Sequence, residues 1–259
     1  MNLIDINGID LEVRRIAAPD TPGHRPAAPL VFLHEGLGSV AMWRDWPDQL
    51  CAATGRAGLV WSRRGYGRSS PVPDVRGSGR LAPDYMHREA REVLPALLAR
   101  LGIERPVLVG HSDGGTIALL HASRFPVSAC VVMAPHVMVE DVSVAAITQA
   151  RDAYTSGLRE RLSRYHNDVD GAFWQWNDVW LSDAFRAFDI REDCRAITAP
   201  LLAIQGEDDP YGTLAQIDDI AARAPQTRLL KLHACGHSPH KDRPDEVITA
   251  IRGFLEGAD

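Results

Sequence analysis

The chain has 259 residues and a hydrophobic content of 45%, which suits one α/β domain with a large core. Its net charge is −6 and it has no basic stripe, so we expect no nucleic-acid partner. No apolar stretch approaches the roughly 20 residues that span a bilayer, so we expect no membrane partner. The N-terminus lacks the features of a signal peptide and the four cysteines are widely spaced, which together predict a cytoplasmic protein.

Apolar runs that alternate with helical patterns predict a mostly parallel central β-sheet flanked by helices. The chain begins with two short runs joined at Asn7-Gly8, a strong hairpin signal, and continues with apolar runs typical of strands buried on both faces. A loop rich in Pro, Gly and Ala covers residues 18–29. The predicted strands cover residues 2–6, 9–16, 30–33, 58–62, 106–110, 129–134, 200–205 and 228–232, and the predicted helices cover residues 42–54, 84–101, 113–124, 213–223 and 244–256.

One long segment, residues 136–196, breaks this alternation. It is helical in pattern, polar and rich in aromatic residues, and it falls between two predicted sheet strands. We therefore expect a core domain of residues 1–135 and 197–259, with residues 136–196 inserted as a helical cap. Such a cap would lie over the carboxyl ends of the strands, where ligands bind in open α/β sheets.

A Gly-x-Ser-x-Gly motif centred on Ser112 follows the predicted strand 106–110, and a helical pattern starts directly after it. A serine hydroxyl becomes a useful nucleophile when it is held in the open beside a base, and a sharp strand-to-helix turn provides that position. The turn also directs the first amides of the helix, including that of Asp113, to the place where negative charge develops. The alternative is an ordinary Gly-rich loop.

Two later loops hold candidates for the acid and the base. Asp208 and Asp209 follow the predicted strand 200–205, and His237 follows the strand 228–232. The order Ser, acid, His is the chain order of hydrolases that carry such a serine turn. All three loops leave the carboxyl ends of strands, so we expect their side chains to meet at one edge of the sheet.

With these features the chain resembles the α/β-hydrolase superfamily, in its capped, single-domain, esterase-like branch. The resemblance extends over nearly the whole chain and is weakest in the insertion; it rests on residues 34–39, 64–69, 110–115, 206–209 and 236–237. It implies a catalytic triad of Ser112, Asp209 and His237, with no metal and no organic cofactor. The family usually places its acid three residues after the glycine of the acid loop, which selects Asp209 and leaves Asp208 in reserve.

The same resemblance implies an oxyanion hole made of backbone N–H groups from Asp113 and from Gly36, with Leu37 second to Gly36. The chain departs from the family at Glu35, where relatives often carry a second glycine after His. A carboxylate there would repel an oxyanion if it pointed inward, so we expect it to point away. A further departure is Ser62, where many relatives carry Asp, and the sequence offers no reason for it.

Other interpretations stay open at several positions. Asp209 could simply begin the helix near residue 213, and some relatives place their acid after the strand 129–134, where Glu140 and Asp141 lie. Cys235 is a second, weaker candidate for the nucleophile. His233, His237 and His240 have the spacing of metal ligands but lack a carboxylate partner in the run, so we expect no metal.

A substrate pocket is predicted where the insertion meets the sheet. His136 and Met138 lie at the start of the insertion, and Trp176 and Trp180 share a helical face with Phe173. The alternative is that these aromatic residues only attach the insertion to the core.

The sequence therefore predicts a serine hydrolase that cleaves a small to medium carboxylic ester through an acyl-enzyme, with a small ester-like molecule as its partner. One alternative is carbon–carbon bond hydrolysis of a vinylogous diketone from aromatic degradation, although resembling enzymes often carry Asn where this chain has His111. Thioester, lactone and amide hydrolysis pass through the same oxyanion. A non-catalytic ligand receptor on the same fold is a further alternative.

Overall fold

A single mixed sheet forms the centre of the molecule. The computed structural model describes residues 2–19 and 27–258, and within that part of the chain the sheet has eight strands in the order β1-β2-β4-β3-β5-β6-β7-β8. The β1–β2 and β2–β4 pairs are antiparallel and all the other pairs are parallel. The strands are β1 (Asn2–Ile6), β2 (Ile9–Ile16), β3 (Leu30–Leu33), β4 (Gly58–Trp61), β5 (Val107–His111), β6 (Ala129–Met133), β7 (Leu201–Gly206) and β8 (Thr227–Leu232). The predicted fold class is confirmed; part of the predicted loop 18–29 lies outside the described residues.

Helices cover both faces of this sheet. They are α1 (Trp46–Thr54), α2 (Tyr85–Arg88), α3 (Leu94–Leu101), α4 (Asp113–Ala122), α5 (Asp141–Asp152), α6 (Arg159–Leu162), α7 (Val169–Trp180), α8 (Ala215–Arg223), α9 (Pro239–Asp242) and α10 (Pro244–Glu256). Short 3₁₀ turns span Ala41–Trp43, Asp183–Ala187 and Asp193–Ala196, and π-helical turns span Glu89–Val93 and Tyr154–Leu158. None of the helices described is long and apolar enough to cross a membrane.

Two of the predicted helices are interrupted. The helix expected over 84–101 contains the π-helical turn Glu89–Val93, which ends two residues before Pro95, a residue with no N–H to donate. The helix expected from residue 42 begins only at Trp46, because Arg44 has φ 55° and separates α1 from the 3₁₀ turn before it. The remaining boundaries differ from the predicted ones by two residues or fewer.

The core consists of two apolar layers, one on each face of the sheet. In β3, Leu30 and Phe32 pack in the same layer as α1 and α10, whereas Val31 and Leu33 pack in the layer that contains α4. All four side chains are buried, which explains the continuous apolar run. Burying a side chain of this kind contributes roughly 1.5–3 kcal/mol, so the sheet is a rigid support for the loops at its edge.

The segment 136–196 is helical, as its pattern predicts, apart from one isolated bridge between Met138 and Asp189. Helix α7 packs directly on the loop after β3. A Cβ atom added at Gly36 would lie 2.2 Å from Nε1 of Trp176, so glycine is required for this close approach. The insertion therefore lies against the carboxyl ends of the strands.

Candidate active site

Ser112 occupies a strained turn between β5 and α4. Its φ of 52° and ψ of −121° lie in a region that residues other than glycine rarely adopt. The turn is tight enough that a Cβ atom at Gly114 would lie 2.1 Å from the carbonyl oxygen of Leu33. Backbone strain of this kind persists only where the surroundings impose it, and here it places the hydroxyl at the carboxyl end of β5.

The side chains of Ser112, His237 and Asp209 form one hydrogen-bonded chain. Nε2 of His237 lies 3.0 Å from Oγ of Ser112, and Nδ1 of His237 lies 2.9 Å from both carboxylate oxygens of Asp209. The Asp209 side chain is fully buried, and it also accepts hydrogen bonds from Nε2 of Gln205 at 2.7 Å and from the N–H of Tyr211 at 2.8 Å. These distances are those expected of a nucleophile, a base and the group that orients the base.

The protonation state of Asp209 follows from these contacts. Burial alone would raise the pKa of its carboxyl group, but the hydrogen bond from His237 and the N–H of Tyr211 outweigh burial and hold the pKa below its usual range. Asp209 is thus a carboxylate at neutral pH and accepts the proton on Nδ1 of His237. In neutral His237 this leaves Nε2 as the acceptor that faces the Ser112 hydroxyl.

The other acid candidates lie elsewhere. Asp208 is exposed, and so is Asp141. Glu140 accepts hydrogen bonds from the N–H of Thr213 at 2.9 Å and from Nε2 of Gln216 at 2.7 Å, which fastens the start of α8 to the insertion. Among the acids considered, Asp209 is therefore the one that contacts His237.

Gly36, Leu37 and Asp113 border the same cavity as Ser112. The N–H of Asp113 is the first of helix α4, where no intrahelical acceptor exists. Among the residues described, none of these three N–H groups donates to a protein acceptor. Their donors are thus free for an anion beside Ser112, as an oxyanion hole requires.

A cavity of about 230 Å³ opens in front of Ser112 and His237. Of the predicted pocket residues, His136, Trp176 and Trp180 line it. Met138 does not line it: its N–H and C=O form hydrogen bonds with the side chain of Gln216, and its backbone forms a bridge with Asp189.

Comparison with known proteins assigns the chain to a family. A family model described as "Alpha/beta hydrolase family" matches residues 30–250. The chain belongs to the alpha/beta hydrolase family. It is therefore an enzyme of a family whose relatives include esterases, lipases and carbamate hydrolases.

Two curated relatives and one solved structure illustrate the range of the family. This α/β hydrolase is 29% identical over 173 residues to the esterase YbfF of Escherichia coli K12, which covers 59% of the chain and 68% of the relative. It is 28% identical over 260 residues to the putative carbamate hydrolase RutD of Agrobacterium fabrum, and this match covers 90% of the chain and 95% of the relative. The crystal structure of the enol-lactonase from Burkholderia xenovorans LB400 superposes with a TM-score of 0.75 at 21% identity, over 98% of this chain and 100% of that one, and shows the shared fold.

Glu35, where this α/β hydrolase departs from its relatives, borders the cavity, so the expectation that it points away is only half right. Nζ of Lys241 lies 3.5 Å from one of its carboxylate oxygens, and Nδ1 of His111 lies 3.5 Å from the other. Burial would raise the pKa of Glu35, but Lys241 and His111 outweigh it and hold the pKa well below its usual range. The negative charge of Glu35 is therefore balanced by Lys241 of α9.

The second departure, Ser62, has a structural explanation. Its hydroxyl accepts a hydrogen bond from the N–H of Val40 at 2.8 Å and donates one to the buried carboxylate of Glu12 at 2.8 Å. Glu12 comes from the antiparallel strand β2, so Ser62 joins the segment after β3 to that strand.

The weaker candidates for chemistry have other surroundings. Burial raises the pKa of the Cys235 thiol to about 11, so it is not an activated nucleophile. His233 faces Glu207 on the surface, and His240 is buried against the ring of Trp43. In the described part of the chain, no group of three or more His, Cys, Asp or Glu side chains is arranged to hold a metal ion.

Several residues of the site were not predicted. Ile147 and Tyr211 line the cavity, although nothing in their local sequence sets them apart from other apolar positions. A larger depression of about 460 Å³ lies beside Trp43 and Lys241, and neither Ser112 nor His237 lines it.

One unpredicted residue, His166, links the insertion to the loop after β3. His166 accepts a hydrogen bond at Nδ1 from the N–H of Gly67, 3.0 Å away, so its proton is on Nε2 and is donated to the carbonyl of Leu37 at 2.9 Å. Phe173, which shares a helical face with Trp176 and Trp180, does not line the cavity. It stacks on Tyr154 within the insertion, with ring centroids 3.9 Å apart.

Proposed function

We propose that this α/β hydrolase cleaves small, uncharged carboxylic esters through a Ser112-His237-Asp209 triad and an acyl-enzyme. The observation that carries the proposal is the hydrogen-bonded chain from Asp209 through His237 to Ser112, with spacings of 2.9 and 3.0 Å, in front of a cavity. The similarity to the esterase YbfF supports the choice of an ester.

Each step uses a group with suitable geometry. Oγ of Ser112 attacks the carbonyl carbon while Nε2 of His237 takes its proton. The N–H groups of Asp113 and of Gly36 or Leu37 stabilise the oxyanion. His237 then protonates the departing alcohol. A water molecule that gives a proton to His237 attacks the acyl carbon, the bond from that carbon to Oγ of Ser112 breaks to release the carboxylic acid, and His237 returns the proton to Oγ. Throughout, Asp209 orients the imidazole and stabilises the imidazolium.

The lining of the cavity supports a small, neutral substrate. Ligand cavities for drug-sized molecules measure roughly 300–1,000 Å³, so the present one, at about 230 Å³, is smaller than that range. No Arg or Lys is among the described residues that line it, and the charge of Glu35 is balanced by Lys241. Burial, aided by His237, lowers the pKa of His136 to about 3, so this side chain is neutral in the folded protein. A carboxylate on the substrate would find no counter-charge here.

We also propose that residues 136–196 act as a cap on a core of residues 1–135 and 197–259. The cavity receives Ile147 from α5 and both Trp176 and Trp180 from α7, while all three triad residues come from outside this segment. A cap of this kind would select substrates without taking part in the chemistry.

Replacement of the nucleophile tests the proposal. Ser112→Ala should lower kcat for p-nitrophenyl acetate and butyrate by roughly 10⁴- to 10⁶-fold, since triad members act as a unit. Ser123→Ala, at the far end of α4, is the matched control and should retain wild-type turnover. A fluorophosphonate should add one covalent mass to the wild-type chain and none to Ser112→Ala.

The same experiment separates the alternatives. Wild-type turnover in Ser112→Ala would refute the triad, and a wild-type chain with neither turnover nor an adduct would favour a receptor. Carbamates, lactones, thioesters, amides and a vinylogous diketone belong in the same substrate panel, because all are attacked at a carbonyl. A higher kcat/KM for any of these than for the esters would replace the proposed substrate class and keep the triad.

A further inference from the structure

A buried arginine behind the reaction centre has no part in the mechanism proposed above. Arg63 directly follows Ser62 after β4, is 3% exposed and does not line the cavity. Its guanidinium lies over the ring of Tyr66, with Cζ 4.9 Å from the centroid, which fixes its plane. A charged group is costly to bury, so the contacts that hold it are informative.

The first contact is with the loop that carries the proposed oxyanion donors. Nη2 of Arg63 donates to the carbonyl oxygen of Glu35 at 3.0 Å. His34 donates to the same oxygen: its Nε2 accepts from the N–H of Arg63 at 3.0 Å, so its proton is on Nδ1, 2.7 Å from that carbonyl. Burial, together with the nearby Arg63, lowers the pKa of His34 well below its usual value, which keeps the ring neutral as this arrangement requires.

The carbonyl of Glu35 and the N–H of Gly36 belong to one planar, trans peptide unit, so they point in opposite directions. Three donors hold this carbonyl: the side chains of Arg63 and His34, and the N–H of Gly38 at 3.0 Å. The N–H of Gly36, which borders the cavity, is thereby turned away from Arg63 and His34. Arg63 and His34 are thus the two side chains that help to set the direction of one proposed oxyanion donor, together with the N–H of Gly38.

The second contact is with the other donor segment. Nη1 of Arg63 lies 3.6 Å from the carboxylate of Asp113, the first residue of α4. This carboxylate is completely buried and also accepts a hydrogen bond from the hydroxyl of Tyr85 at 2.6 Å. Among the side chains that the structure describes, only Arg63 contacts both Asp113 and the carbonyl of Glu35.

We infer that Arg63 is a positioning residue that holds the two halves of the oxyanion hole in register. It touches neither the substrate nor the reacting atoms, so it acts through the backbone of Gly36 and Asp113. Its effect should be felt in the transition state, where the oxyanion forms, and not in the binding of the ester. The inference rests on the proposed function.

The test compares Arg63→Met with wild type on p-nitrophenyl butyrate. Removing one oxyanion donor costs about 10²- to 10³-fold, so misdirecting one should lower kcat by about 10- to 100-fold. KM should stay within about threefold, because an interaction made only in the transition state was lost. A trifluoromethyl ketone, whose adduct on Ser112 carries the oxyanion, should bind more weakly by a factor similar to the loss in kcat.

Two further variants keep the test decisive. Arg63→Lys retains a charge beside Asp113 but cannot span both contacts, so its kcat should fall between those of wild type and Arg63→Met. If Arg63→Met does not fold because Asp113 is left unpaired, the double variant Arg63→Met/Asp113→Asn restores a neutral interior and is compared with Asp113→Asn alone. The matched control is Arg56→Met, another buried arginine, whose kcat should equal that of wild type at temperatures where it is folded.

Three results would overturn the inference: a folded Arg63→Met whose kcat is within twofold of wild type, a loss confined to KM, or an equal loss of kcat in Arg56→Met. Each of these presupposes a wild-type chain that turns over esters and forms the fluorophosphonate adduct. Absence of both wild-type activities would refute the proposed function instead, so the two failures are distinguishable.

Discussion

The edge of the sheet and the helical insertion both border the cavity, but they are built differently. The groups at the sheet edge are fixed by directed polar contacts; Asp209, for example, accepts hydrogen bonds from Gln205, Tyr211 and His237. The insertion contributes side chains such as Ile147, which is 1% exposed and held by packing. Hydrogen bonds fix the direction of individual atoms, whereas packing fixes the shape of a surface.

This contrast has a kinetic consequence. A change at the sheet edge should reduce turnover by the same factor for every ester, because the same oxyanion and the same proton transfers are affected. A change in the insertion should instead alter the ranking of esters, because only part of each substrate contacts it.

Asp209→Asn should lower kcat by roughly 10³- to 10⁴-fold for both acetate and butyrate esters of p-nitrophenol. An amide of the same shape leaves the packing intact but favours the wrong tautomer of His237. Asp208→Asn, at the exposed neighbouring position, should keep wild-type kcat and is the matched control. If the loss differed strongly between the two esters, the division between chemistry and selection would fail.

Ile147→Ala should change the ranking of esters. Removing part of this buried side chain enlarges the cavity, so the ratio of kcat/KM for octanoate to that for acetate should rise about 10-fold. The substitution should also lower the free energy of unfolding by about 2–5 kcal/mol.

Ile220→Ala, a buried isoleucine of α8 that does not line the cavity, should show a similar loss of stability and an unchanged ratio. An equal fall of kcat for all chain lengths in Ile147→Ala would place the insertion with the sheet edge instead.

Local patterns in the sequence predict the fold well, because a buried strand such as Leu30–Leu33 or a turn such as that at Ser112 is specified by its own few residues. Contacts between distant residues have no such local signal. Arg63 and His34 are 29 positions apart in the chain, and His166 and Leu37 are 129 apart. Whether Met138 lines the cavity depends on how the insertion packs, which periodicity does not specify.

His136 tests whether the two regions stay together in solution, and its expected effect is the smallest. Burial between the sheet edge and Trp180 lowers its pKa from 6.5 to about 3. The unfolded chain therefore binds a proton near pH 6.5 that the folded chain binds only near pH 3. Its contribution to stability is complete above pH 6.5 and is lost as the pH falls toward 3.

Between pH 7.5 and pH 6 this contribution should lower the free energy of unfolding of the wild type by about 0.8 kcal/mol more than that of His136→Gln. Urea denaturation at several pH values measures both slopes, and comparing slopes removes the constant cost of the substitution itself. If the insertion swings away from the sheet in solution, His136 is hydrated and titrates near its ordinary value in the folded protein as well. The two slopes would then be equal, and the cavity would be a transient feature whose selectivity depends on closure and not on a fixed shape.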